Sequence, residues 1–100
     1  MVKHIILWTL NDMEKDKKET VKQEIKKSLE SLNGKIPGLI DLKITASETL
    51  SSSTADLMLD STFESPEALK NYSIHPEHTA VANSKVRPYT KLRSCLDFQF

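Results

Sequence analysis

Val2-Lys3-His4-Ile5-Ile6-Leu7-Trp8-Thr9-Leu10 is the stretch on which the fold turns. β-Branched and aromatic residues fill it and Asn11-Asp12 follow, the composition of a strand closed by a turn. Alternation sets Val2, His4, Ile6, Trp8 and Leu10 on one face and Ile5 and Leu7 on the other. Both faces are apolar, so both need a cover.

Downstream the apolar period changes. Val21, Ile25, Leu29 and Leu32 recur at helical spacing among lysines and glutamates, which predicts a helix over residues 14–32. Asn33-Gly34 ends it, with glycine suited to the left-handed cap, and Ile36-Pro37-Gly38 makes a turn. A second strand is expected over 39–49, with Leu39, Asp41, Lys43 and Thr45 alternating against Ile40, Leu42, Ile44 and Ala46. Residues 50–54 form a serine-rich loop. A third strand over 55–63 sets Leu57, Leu59, Ser61 and Phe63 against Met58, Asp60 and Thr62.

Ser65-Pro66 then opens a helix, serine as cap and proline in the first helical position. His75-Pro76 breaks it, and a further helical stretch is expected over 76–86, ending before Pro88. Residues 92–100 alternate Leu92, Ser94, Leu96, Phe98 and Phe100 against Arg93, Cys95, Asp97 and Gln99, a last strand.

The order β-α-β-β-α-(α)-β is that of an α+β, ferredoxin-like domain spanning residues 1–100. A four-stranded antiparallel sheet carries helices on one face. The other face, with Ile5, Leu7 and Met58, is expected to pack on a second copy in a twofold homodimer.

Composition narrows the function classes. Fourteen basic residues against fourteen acidic ones argue against a nucleic-acid partner. The lysines between Lys15 and Lys27 are interleaved with Glu14, Asp16, Glu19 and Glu24, the pattern of a solvated helix face. Cys95 is the single cysteine, so no intrachain disulfide forms and a cytoplasmic home is expected. With no base identified beside it, Cys95 reads as a buried, inert thiol. The apolar run Ile5-Ile6-Leu7-Trp8 is too short for a membrane span, and no membrane partner is expected. Gly34 and Gly38 are the only glycines, so no phosphate-binding loop is expected.

Three segments resemble the stress-responsive alpha/beta-barrel (Dabb) family. They are Val2-Lys3-His4-Ile5-Ile6-Leu7, the Ile36-Pro37-Gly38 turn, and Thr62-Phe63-Glu64-Ser65 followed by Tyr72-Ser73-Ile74-His75-Pro76-Glu77-His78. The Tyr-x-x-His-Pro-x-His run is the most specific of them, and the resemblance spans the chain. It implies a dimeric α/β barrel in which two sheets close on each other. The family is related to olivetolic acid cyclase, which works without a cofactor, while many members have no assigned activity. By that resemblance His78 is expected as a base, Tyr72 as an oxyanion donor and His4 as the residue that orients the histidine. Where the cyclase has a further pocket histidine, this chain has Leu57, which argues against the same substrate.

The residues themselves leave more than one reading open. His4 and His78 either form an acid–base pair near neutral pH or satisfy one another in the core. Tyr72 is either a proton donor to a developing oxyanion or a core aromatic with a wet hydroxyl. His75 reads as a capping device. Trp8, Leu57, Leu59 and Val81 are the expected pocket walls, Trp8 as core or cleft lining. No metal site is expected, because the spacing of His75 and His78 crosses a proline and no carboxylate or cysteine is evident beside the histidines. With the resemblance, three functions stay open: a non-catalytic, stress-linked homodimer that acts by assembly or by binding a small hydrophobic ligand, a cofactor-independent cyclase-like enzyme acting on an enolisable carbonyl compound, or a cofactor-free monooxygenase.

Overall fold

The structure, a computed structural model, describes residues 1–100. Strand β1 runs Val2–Leu10, helix α1 Lys15–Glu30, β2 Leu39–Thr45, β3 Leu57–Phe63, α2 Pro66–Ile74 and α3 Pro76–Val81. A π turn, Ala82–Val86, and a 3-10 turn, Arg87–Tyr89, lead into β4, Thr90–Gln99. The sheet order is β2-β3-β1-β4 and every neighbouring pair is antiparallel. Strands β1 and β2 are thus parallel to each other with β3 between them, the split βαβ arrangement. No helix is long and apolar enough to cross a membrane.

The core lies between the sheet and the helices. Val2, Ile6, Trp8 and Leu10 of β1 meet Leu57, Leu59 and Phe63 of β3, and Val21, Ile25 and Leu29 of α1 close over them. Each such side chain contributes about 1.5–3 kcal/mol by leaving water. The second strand departs from simple alternation. A bulge between Leu39 and Asp41 leaves Ile40 exposed and brings Leu39 to the buried face with Leu42 and Ile44. One extra residue reverses the side-chain alternation at that point. The strand also ends at Thr45, four residues short of the expected 49, and Ser47 instead receives a hydrogen bond from Gln23 of α1 (2.5 Å).

The two edges of the sheet differ. On β2, Asn33 both donates to and accepts from the backbone of Leu42 (2.9 Å each). The Glu30 carboxylate accepts from the Ile44 N–H (3.0 Å), and Lys26 donates to the Ile44 carbonyl (2.8 Å). Side chains from the end of α1 and the turn behind it thereby occupy the outer backbone groups of that strand. Strand β4 has no such cover, and every residue from Lys91 to its end is exposed.

At the helix break, Ser65 caps α2 by accepting from the Ala68 N–H (3.1 Å). His75 caps α3, its Nδ1 accepting from the Glu77 N–H (3.1 Å). The last helical stretch is α-helical only to Val81. The wider π turn beyond it buries Ala82 and Val86.

Candidate functional site

A cavity of about 620 Å³ opens between the helix-side face of β1 and β4 and the segment from α2 to the 3-10 turn. Its apolar wall includes Ile6, Trp8, Leu29, Leu59 and Val86. Its polar side carries His4, Tyr72, His78, Arg93, Cys95 and Asp97. Trp8 and Leu59 are therefore wall residues, whereas Leu57 and Val81 are not. Leu57 pairs with Trp8 one step further along the sheet and is sealed in the core. Val81 packs against the core cluster, and the π turn presents Ala82 and Val86 to the cavity in its place.

His4, Tyr72 and His78 come together, but not as a hydrogen-bonded pair of imidazoles. The Tyr72 ring stands among the three, 4.2 Å from the His78 ring and 6.3 Å from the His4 ring between centroids. Phe63 closes the cluster from the core, 4.9 Å from Tyr72. His78 Nδ1 donates to the Ser73 carbonyl (3.2 Å), since a carbonyl oxygen only accepts. Its Nε2 is then the atom with a lone pair. Burial pushes the His78 pKa down, with Arg87, His4 and Arg93 adding to the effect, so the imidazole is held neutral.

Tyr72 is 2 % exposed, and burial pushes its phenol pKa well up. The hydroxyl stays protonated and makes no hydrogen bond within the chain. No fully enclosed side-chain polar atom lacks a partner, so this hydroxyl keeps an opening to the cavity that Tyr72 lines.

His4 has a different partner from the expected one. Its Nδ1 donates to the Asp97 carboxylate, directly opposite on β4. Cys95 stands two residues before Asp97 on the same face, with Sγ 3.7 Å from His4 Nδ1 and 3.5 Å from Asp97 Oδ1. A carboxylate and a thiol are thus beside a histidine, contrary to the expectation from spacing. Cys95 is also exposed rather than buried, because β4 is the edge strand and its helix-side face extends past the helices. Desolvation and then the Asp97 charge push its thiol pKa up. The sequence signal for these residues was the alternation Arg93, Cys95, Asp97. What it lacked was the register that sets Asp97 opposite His4.

A family model described as the Stress responsive A/B Barrel Domain, Dabb, matches residues 2–100. The chain belongs to the Dabb family. Among solved structures, this Dabb chain is similar to a dimeric protein of unknown function with a ferredoxin-like fold from Bacteroides fragilis. They share 30% identity over 99% of this chain and 95% of that one, with a TM-score of 0.89. A dimeric ferredoxin-like protein of unknown function from Thermobifida fusca shares 22% identity over 99% and 90%, TM-score 0.82. Hydroxynitrile lyase from Passiflora edulis shares 17% over 97% and 90%, TM-score 0.77. The last two likenesses extend to the fold alone. A comparison with curated proteins finds no significant match to this Dabb chain.

Proposed function

We propose that the protein is a homodimer whose cavity binds a small hydrophobic molecule through an oxygen acceptor set against Tyr72. The observation that carries the reading is the Tyr72 phenol, protonated, without a protein partner and opening into an apolar-walled cavity. The hydroxyl faces only the solvent of the cavity, and a hydrogen bond from it to a ligand carbonyl or carboxylate is worth about 0.5–1.5 kcal/mol net, more to a charged acceptor. Lys70, Arg87 and Arg93 line the same cavity and form no salt bridge, so they favour an acceptor with negative charge. The dimer is supported by the outer sheet face, where Ile5, Leu7 and Met58 continue into Leu96 and Phe98 of β4. The Bacteroides fragilis protein is described as dimeric.

Trp8 is the only tryptophan and lines the cavity, so its fluorescence reports occupancy. Titration with a panel of small aromatic and aliphatic ketones and acids should yield saturable changes that weaken in Tyr72→Phe. Ligands that bind the variant equally well would remove Tyr72 from the reading.

A second reading is a cofactor-independent enzyme acting on an enolisable carbonyl compound, and the contact between Tyr72 and His78 favours it. Neutral His78 Nε2 would take a proton from the carbon beside the carbonyl, while Tyr72 would donate a hydrogen bond to the enolate oxygen. Hydrogen–deuterium exchange at that carbon, followed by NMR, tests it. Exchange no faster than in buffer would leave binding as the function.

A further inference from the structure

We propose that His4, Cys95 and Asp97 form a binding site for a late first-row divalent cation, zinc foremost, with an open coordination position toward the cavity. The site goes beyond the ligand-binding reading and uses neither Tyr72 nor His78 as a ligand.

Sheet geometry brings the three together. His4 and Asp97 are direct cross-strand partners, and Cys95 lies two residues back along β4, hence on the same face. The three donor atoms lie within 4.8 Å of one another. Bonds of about 2.0–2.3 Å at tetrahedral angles set neighbouring zinc donors roughly 3.3–3.8 Å apart. The two contacts of Cys95 Sγ, 3.7 Å and 3.5 Å, are already at that spacing. The remaining pair, His4 and Asp97, is held together by a proton that the metal would replace. Asp97 has a side chain 45% exposed and can withdraw to make room.

Imidazole nitrogen, thiolate sulfur and carboxylate oxygen together suit zinc and its neighbours and suit magnesium or calcium poorly. The thiolate and carboxylate supply two negative charges for a divalent cation. Loading releases the Cys95 thiol proton to solvent, while the neutral His4 imidazole carries its proton on Nε2 instead of Nδ1, which frees Nδ1 to ligate. Three protein ligands with one position open is the count found where a metal engages a ligand rather than only bracing a fold. Tyr72 is the independent sign of such a ligand. It is 2 % exposed, unpartnered at its hydroxyl, and lines the cavity that these three residues also line.

The test is a cobalt(II) titration of the chelator-treated, tag-free full chain. The expected result is one cobalt per chain, tetrahedral visible absorption, and a thiolate-to-cobalt charge-transfer band that zinc removes. Cys95 is the only cysteine, so Cys95→Ser must abolish the band. Asp97→Asn and His4→Gln should each weaken binding roughly tenfold or more. Cys95 and Asp97 are exposed, so unchanged thermal melts of Cys95→Ser and Asp97→Asn will show that the fold is intact. Tyr72→Phe should leave cobalt affinity unchanged, which separates this site from the ligand reading. Absence of the charge-transfer band in the wild type, its persistence in Cys95→Ser, or equal affinity in Asp97→Asn overturns the proposal.

Discussion

The Tyr72 and His78 rings lie 4.2 Å apart between centroids, tilted by 36°. A protonated phenol and an imidazole thus share one wall of the cavity. Tyr72 comes from α2 and His78 from α3, and the His75-Pro76 break between the helices turns the second toward the first.

Tyr72→Phe separates structure from binding. The hydroxyl has no partner in the protein, so its loss should change stability by no more than about 1 kcal/mol. Ligand affinity, read from Trp8 fluorescence, should fall by roughly tenfold, the worth of one hydrogen bond. A large drop in melting temperature would mean that the phenol is structural.

His78 makes stability depend on pH in one direction. Its folded pKa lies below the ordinary 6.5, so on acidification the unfolded chain takes up the proton first. The contribution of neutral His78 is fully present above 6.5. It is lost as the pH falls from there through the lower folded value. Urea midpoints measured across this window should decline with acid in the wild type, and His78→Gln should decline less. Parallel curves would show that His78 titrates as a free imidazole.

Leu7 tests the dimer. It is 43% exposed in the single chain and central on the outer face. Leu7→Glu should convert a dimer into monomer or insoluble protein, as read by light scattering on a sizing column. A soluble dimer in the variant would move the interface elsewhere.

The two glycines should respond unequally to alanine. Both have positive φ, 80° at Gly34 and 82° at Gly38, so alanine costs each about 1–2 kcal/mol of backbone strain. At Gly34 a new Cβ meets nothing, whereas at Gly38 it would lie 2.5 Å from the Ala68 Cβ. Gly38→Ala should therefore cost roughly 1–3 kcal/mol more than Gly34→Ala in chemical denaturation. Adding Ala68→Gly should ease the clash and leave the strain. Equal costs for the two single variants would refute the contact.

Local periodicity was enough to order the elements. The alternation of Val2 through Leu10 matches the observed faces, because a strand buried on one side leaves its pattern in the chain. Ser65-Pro66 and His75-Pro76 mark real helix starts, since capping and the missing proline N–H act between near neighbours. Where a feature depended on a distant partner, the pattern misled. Leu39 alternates with Asp41 as though exposed, yet the bulge buries it beside Leu42. Leu57 reads as a pocket wall, and packing in the core cluster seals it instead.

The sequence by itself determined the element order, the buried face of β1 and the turn that presents His78, all set by interactions within a few residues. Tertiary structure alone decided that Asp97 and Cys95 meet His4, and that Tyr72 rather than a hydrogen bond joins His4 to His78. Residues 4 and 97 are neighbours only because β1 and β4 pair in one register, and no local preference encodes a register between strands so far apart.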